Sequence, residues 1–251
     1  MYRYVYCITG ASRKPRKAVI GLENSVVYTL RYEEIAAVVS EVTMAKIPVS
    51  HEGALRHAAV ISAIQREQTT LPMRFSSVFH DDSAVLGFLK SRYAVFVSDL
   101  ARLQDKVEMG LRVIAKDNKF ESMQSHWDRG IPAGGQETET PPPGACAPAS
   151  SGTAYLQQRR VYYESQDKND SWAQEMVKTC HAQFEGVCIS HAMDTNKSSA
   201  QGISLNYLVH KDSLARFQER LNDLVLSLTE FQFLCSGPWP PYHFVSTGEG
   251  A

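Results

Sequence analysis

Histidine, cysteine and paired carboxylate side chains are the groups in this chain best suited to chemistry. Cys180-His181 and Cys188/His191 place two sulfurs and two imidazoles on either side of Gly186. If that turn folds back, they would offer soft and borderline metal ligands; two ordinary half-buried pairs are the simpler reading. His51 and His57 fall on one expected helix but stand about 240° apart around its axis, too far round to share a metal. Asp81-Asp82 suits acid–base work, yet its place just ahead of a helix reads as capping. No G-x-S-x-G elbow, G-x-x-x-x-G-K-[ST] phosphate loop, G-x-G-x-x-G fingerprint or H-E-x-x-H pair occurs. The residues therefore predict no catalytic set, no metal and no cofactor.

Two segments are more distinctive. In Leu71-Pro72-Met73-Arg74-Phe75-Ser76-Ser77-Val78-Phe79, Pro72 suits the mouth of a strand, where its missing N–H is not needed by the ladder. Strict alternation over this stretch puts Met73, Phe75, Ser77 and Phe79 on one face, and makes Arg74 a lone cation in an apolar strand. Such a cation needs a partner, and Glu108, the only acid in Lys106–Ala115, is the candidate; the pair would tie two domains together. The second segment, Gly237-Pro238-Trp239-Pro240-Pro241-Tyr242-His243-Phe244, is a stiff backbone with large aromatic faces. It loses little entropy on docking, either onto a partner or, as we read it, back across its own protein as a clamp.

The elements that must carry these residues follow from periodicity. Tyr2, Tyr4, Tyr6 and Ile8 alternate with Arg3, Val5, Cys7 and Thr9 as a strand, and Val26–Leu30 and Ile35–Val42 read as two more. His51–Gln68 reads as a helix and Leu71–Phe79 as a strand. Asp81-Asp82-Ser83 caps a helix whose stripe of Val85, Leu89, Arg92/Tyr93, Phe96, Leu100 and Leu103 runs unbroken. Lys106–Ala115 is a strand, Thr153–Phe184 a helix, and Val187–Met193 with Ile203–Val209 a strand pair around the turn Asp194–Gly202. Leu214, Phe217, Leu221, Leu224/Val225 and Leu228 stripe a helix from near Lys211, and Phe231–Cys235 is a last strand that Gly237-Pro238 ends.

Counted from residue 105, the order is strand–helix–strand–strand–helix–strand, the split-βαβ, ferredoxin-like arrangement. The expected fold class is α+β in two domains: residues 1–104 as an N-terminal α+β domain, and residues 105–236 as a ferredoxin-like (βαββαβ) domain. The latter carries a variable insertion at 117–151, and residues 237–251 form a Pro/aromatic tail packed back on the protein. Gly130–Gly152, with five Gly and five Pro, holds nothing large enough to anchor a core and reads as a solvated linker.

Composition narrows the function class. In 251 residues, Lys+Arg 26 against Asp+Glu 27 leaves a net charge of −1, which argues against a broad electrostatic grip on nucleic acid or a lipid membrane. No basic segment followed by an apolar run opens the chain, and no run approaches the roughly 18 apolar residues a bilayer crossing needs, so a cytosolic location is expected. Cys7, Cys146, Cys180, Cys188 and Cys235 are odd in number and never C-x-x-C. A disulfide framework is not expected, and most of them should be small buried hydrophobes.

LPMRFSSVF, the helix after it and KVEMGLRV resemble the gas vesicle GvpF/GvpL family, whose members carry a Leu-Pro-(Leu/Val)-Arg-Phe-Gly-Thr strand and a later Lys-x-Glu strand. GPWPPYHFV is similar to the family's Gly-Pro-Trp-Pro-Pro-Tyr-x-Phe ending, the most specific match. The opening Tyr-Val-Tyr, Gly152-Thr-Ala-Tyr-Leu156 and Asn206-Tyr-Leu-Val209 before Phe217 also agree in order, so the resemblance spans nearly the whole chain. Ser76 stands where the family usually has Gly, and the segment 130–152 is longer and richer in proline than the family's.

The resemblance implies a non-enzymatic accessory protein of gas vesicles, the protein-walled buoyancy organelles of the prokaryotic cytoplasm. Such a minor vesicle component or assembly factor would bind the hydrophobic major shell protein, and other accessory proteins, and limit shell aggregation while a vesicle nucleates. Arg74, Glu108, Pro72, Phe75, Trp239, Pro240, Pro241, Tyr242 and Phe244 are then structural or interaction residues. The rival expectation is a small-molecule- or haem-binding ferredoxin-like enzyme or sensor with His181, His191 or His243 facing the ligand. A proline-rich adaptor using Pro141–Pro143 is a third.

Overall fold

The computed structural model describes residues 1–11, 19–116, 173–193 and 202–246. The expected insertion at 117–151, the helix over 153–172, most of the turn at 194–202, Pro141–Pro143 and Cys146 lie outside the described residues.

The first sheet is built on β1 (Tyr2–Gly10), which pairs antiparallel with β3 (Ile35–Val42) on one side. On its other side it pairs with two short strands, β4 (Thr70–Pro72) and β5 (Val78–Phe79). β2 (Tyr28–Tyr32) adds to β3, giving the order β2-β3-β1-β4. Helices cover both faces of this sheet, so β1 is buried on both. A bulge between Val5 and Cys7 sorts its side chains. Tyr4, Tyr6 and Cys7 pack with Val60, Ile61 and Ile64 of α1 (His51–Gln65). Val5 and Ile8 pack with Val85 and Leu89 of α2 (Asp82–Ser91) and Phe96 of α3 (Tyr93–Arg102).

Local chemistry starts these helices. The Ser50 hydroxyl accepts the Gly53 N–H at 3.1 Å ahead of α1, and the Asp81 carboxylate accepts the Ala84 N–H at 2.8 Å ahead of α2. Asp82, in the first turn of α2, pairs with Arg3, which also reaches Glu41 at 3.3 Å. Asp81 is thus a cap, as its position before the helix suggests.

The second sheet has the order β7-β8-β6-β9 and is antiparallel throughout. Its strands are β6 (Lys106–Ala115), β7 (Cys188–Met193), β8 (Gly202–His210) and β9 (Phe231–Trp239). Two helices cover one face: α4, described over 173–183, and α5 (Leu214–Ser227). Met109, Leu111 and Val113 of β6 meet Leu205, Tyr207 and Val209 of β8 there, under Cys180, Phe184, Phe217 and Leu221. On the opposite face Leu208 of β8 joins Val5, Ile35, Val85 and Phe96, so the cluster that lines the first sheet also holds the second.

Four expectations need correction. The strand expected over Leu71–Phe79 is two strands split by a turn: Ser76 has φ 69°, a left-handed conformation that breaks alternation. The helix expected to run unbroken to Leu103 breaks at Arg92, φ −118° and ψ 15°, into α2 and α3. The strand read at Val26–Leu30 is Tyr28–Tyr32, Val26 forming only an isolated bridge to Ile20. Gly237-Pro238 does not end the last strand, which continues to Trp239 across a register shift opposite Glu108/Gly110. Gly237 has φ +119°, and a Cβ there would lie 2.8 Å from the Glu108 carbonyl oxygen, so only glycine fits.

Candidate functional site

The expected interaction residues separate into two places. The first surrounds the turn after β4. Pro72 is buried in β4 opposite Cys7. Phe75 packs edge-on to Tyr4 and His57. A buried hydrogen-bond chain fixes the turn over them. His57 Nε2 donates to the Met73 carbonyl at 3.1 Å, which leaves Nδ1 to accept the Tyr4 hydroxyl at 2.9 Å. The Tyr4 oxygen in turn accepts the Ser76 N–H at 3.0 Å. Burial holds the His57 imidazole below its ordinary pKa, against the opposing pull of the Met73 carbonyl. Neither Tyr4 nor His57 was singled out from sequence for this role.

Arg74 does not meet Glu108. The turn leaves Arg74 exposed, and Glu108, 3% exposed on β6, spends its carboxylate elsewhere. The His243 N–H donates to Glu108 Oε2 at 2.9 Å and the His243 Nδ1 lies 2.6 Å from Oε1. The lone cation expected to need Glu108 is solvated on the turn, and Glu108 is met by His243 instead.

That hydrogen-bonded contact opens the second place, where residues 240–246 lie across both parts of the fold. Pro240 and Pro241 are buried, Phe244 is 8% exposed within the cluster shared by the sheets, and Trp239 and Tyr242 remain 45% and 39% exposed. Asp99 of α3, 2% exposed, accepts the Ser246 N–H at 2.7 Å and its hydroxyl at 2.9 Å. Arg102 donates to the same carboxylate and to the Phe244 carbonyl. A buried carboxylate is stable only when its lone pairs are met, and here residues 243 and 246 meet those of Glu108 and Asp99. Asp99 and Arg102 were missed from sequence, although Asp99 lies three residues after Phe96 on the apolar stripe of its helix, where an acid is out of place.

The second sheet also leaves surface open. β7 and β9 are its edges, each unpaired on the outer side among the described residues. They expose Ile189 (52%), Met193 (45%) and Leu234 (46%) besides Trp239.

The sulfur–imidazole constellation does assemble, without becoming a metal centre. His181 of α4 and His191 of β7 stack with ring centroids 3.6 Å apart and planes 33° from parallel. Imidazole lone pairs lie in the ring plane, so stacked rings do not aim at one point. Among the described residues no three His, Cys, Asp or Glu side chains are placed to hold a metal ion. Burial pushes the Cys180 thiol up to about 12, so it is unreactive at neutral pH. His243, bonded to Glu108, is on the opposite face of the sheet from this pair. No helix among the described residues is long and apolar enough to cross a membrane.

Comparison with known proteins places this geometry. The family model described as gas vesicle synthesis protein GvpL/GvpF matches residues 2–246. The chain is 28% identical over 204 residues to gas vesicle protein L of Streptomyces sp. (strain CB03234), covering 79% of this chain and 70% of the relative. It is 23% identical to gas vesicle protein F2 of Halobacterium salinarum, over 89% of this chain and 82% of the other. The crystal structure of the gas vesicle protein GvpF from Anabaena sp. PCC7120 superposes with a TM-score of 0.75 at 14% identity, covering 100% of this chain and 98% of that one. That of GvpF from Microcystis aeruginosa gives 0.69 at 13% identity, over 98% and 99%.

Proposed function

The chain belongs to the gas vesicle synthesis protein GvpL/GvpF family, and on that premise we propose that it is a non-enzymatic accessory protein that binds the hydrophobic major shell protein and limits its aggregation while a vesicle nucleates. It works at the vesicle in the prokaryotic cytoplasm, alongside other accessory proteins, with no nucleic acid, lipid membrane or cofactor among its partners.

The observation that carries this reading is the pair of edges on the second sheet that are open among the described residues, with Ile189, Met193, Leu234 and Trp239 exposed along them. An unpaired edge offers a row of N–H and C=O groups, and an extended apolar segment satisfies them while its side chains cover the strand's own. An assembly factor needs such adhesive surface and no activated nucleophile. The second sheet's order, strand by strand, is the one a ferredoxin-like βαββαβ unit has, which supports a boundary near residue 105 between a 1–104 unit and a 105–236 unit. Residues 237–246 act as the clamp between them, through Pro240, Pro241 and Phe244, while Trp239 and Tyr242 are left for contact.

Co-expression tests the proposal. With this protein present, the fraction of shell protein in the soluble pool should rise several-fold over shell protein alone; an unchanged fraction refutes it.

A further inference from the structure

His181 and His191 have no part in the docking just described, yet they join the edge strand β7 to the body of the protein. His191 is exposed on β7, and His181 reaches it from α4. Among the described residues the buried Nε2 of His181 has no hydrogen-bond partner, and neither does the buried hydroxyl of Tyr207 on β8, whose ring meets His181 edge-on at 5.9 Å. A stacked neutral pair tolerates this apolar setting. A charged ring would face both an unmet donor and a second imidazole at contact distance.

We infer that the stacked His181–His191 pair is a proton-sensitive latch that holds β7 against α4 and lets it go on protonation, making the docking edge pH-dependent. The second half rests on the docking role proposed above; the latch itself does not. The titratable groups around the pair are few. α4 brings Cys180, the turn after it Glu185, β7 brings Cys188, and β8 brings Tyr207. Burial raises Cys180, Cys188 and Tyr207, so all three stay neutral at the pH where imidazoles titrate. Glu185 acts on Cys188. Among the described residues no carboxylate pairs with His181 or His191 to offset the second charge. Burial and the neighbouring His191 charge both hold His181 below its ordinary value. The latch is therefore closed above the ordinary imidazole range and opens as pH falls through and below it.

Amide exchange on the whole protein tests it. Between about pH 7.5 and about pH 5.5, β7 amides should lose roughly five-fold or more protection relative to β6 amides, after correction for intrinsic rates. His181→Phe, which keeps a ring but no titration, and His191→Gln, at an exposed position that leaves the core packed, should both flatten that difference. In His191→Gln the His181 NMR titration should move to higher pH. Equal loss in β6 and β7, or a β7 loss that persists in both variants, overturns the latch. If the latch opens while wild-type protein retains shell protein equally at both pH values, its control of docking is overturned. If the exchange result holds but no shell protein is retained at either pH, the docking role fails and the latch stands.

Discussion

At the scale of single residues, buried polar groups dictate what each side chain is worth. Tyr4→Phe removes the donor to His57 Nδ1 and the acceptor of the Ser76 N–H in one step. Leaving two buried groups unmet should cost about 1–3 kcal/mol in urea unfolding. His57 adds a pH dependence whose sign is fixed by its lowered pKa. The folded protein keeps it neutral while the unfolded chain takes up the proton first, near the ordinary value of 6.5. Its contribution is whole above that pH and is lost as pH falls below it toward the depressed folded value. Urea midpoints should drop on acidification, and His57→Gln, which retains a donor and an acceptor, should shrink that drop. A double-mutant cycle between Glu108→Gln and His243→Ala should give a coupling of about 0.5–3 kcal/mol. Arg74→Ala, on an exposed turn, should stay within about 0.5 kcal/mol of wild type.

At the scale of elements, legibility followed how local the cause was. Ile35–Val42, a nearly continuous apolar run, and Lys106–Ala115, an apolar/polar alternation, are legible to the residue because each pattern is local. The stretch over 71–79 kept the same alternation on paper, but the chain of bonds through Tyr4 and His57 holds Ser76 left-handed and splits it. Those partners are distant in sequence, so no local pattern announces them. Arg92 breaks α2 from α3 with neither Gly nor Pro to signal it. Pro238 stays in β9 because that strand is an edge, where a missing N–H leaves no ladder bond unmade. In the site, Glu108 is legible as the only acid of its strand; its partner His243, 135 positions away, is not. The segment after β9 should also prove structural. Phe244→Ala should cost about 3–5 kcal/mol, and ending the chain at Gly237 should lower the melting temperature further, because Glu108 then loses His243 and Asp99 keeps only Arg102.

At the scale of the whole molecule, one cluster contains Val5, Ile35, Val85 and Phe96 beside Leu208 and Phe244. Shared packing of that kind makes the two sheets unfold together. Calorimetry of the full chain should show a single transition, and the chain ended at Gly237 should resolve into two as the clamp and Phe244 are lost. A consequence follows for how such a sequence changes over generations. A side chain trimmed at Leu208 leaves a void that growth at Val85 or Val5 can refill, because a core tolerates exchange when total volume is kept. Substitutions on the two sheets should therefore drift in correlated pairs across that seam, although the positions lie far apart along the gene.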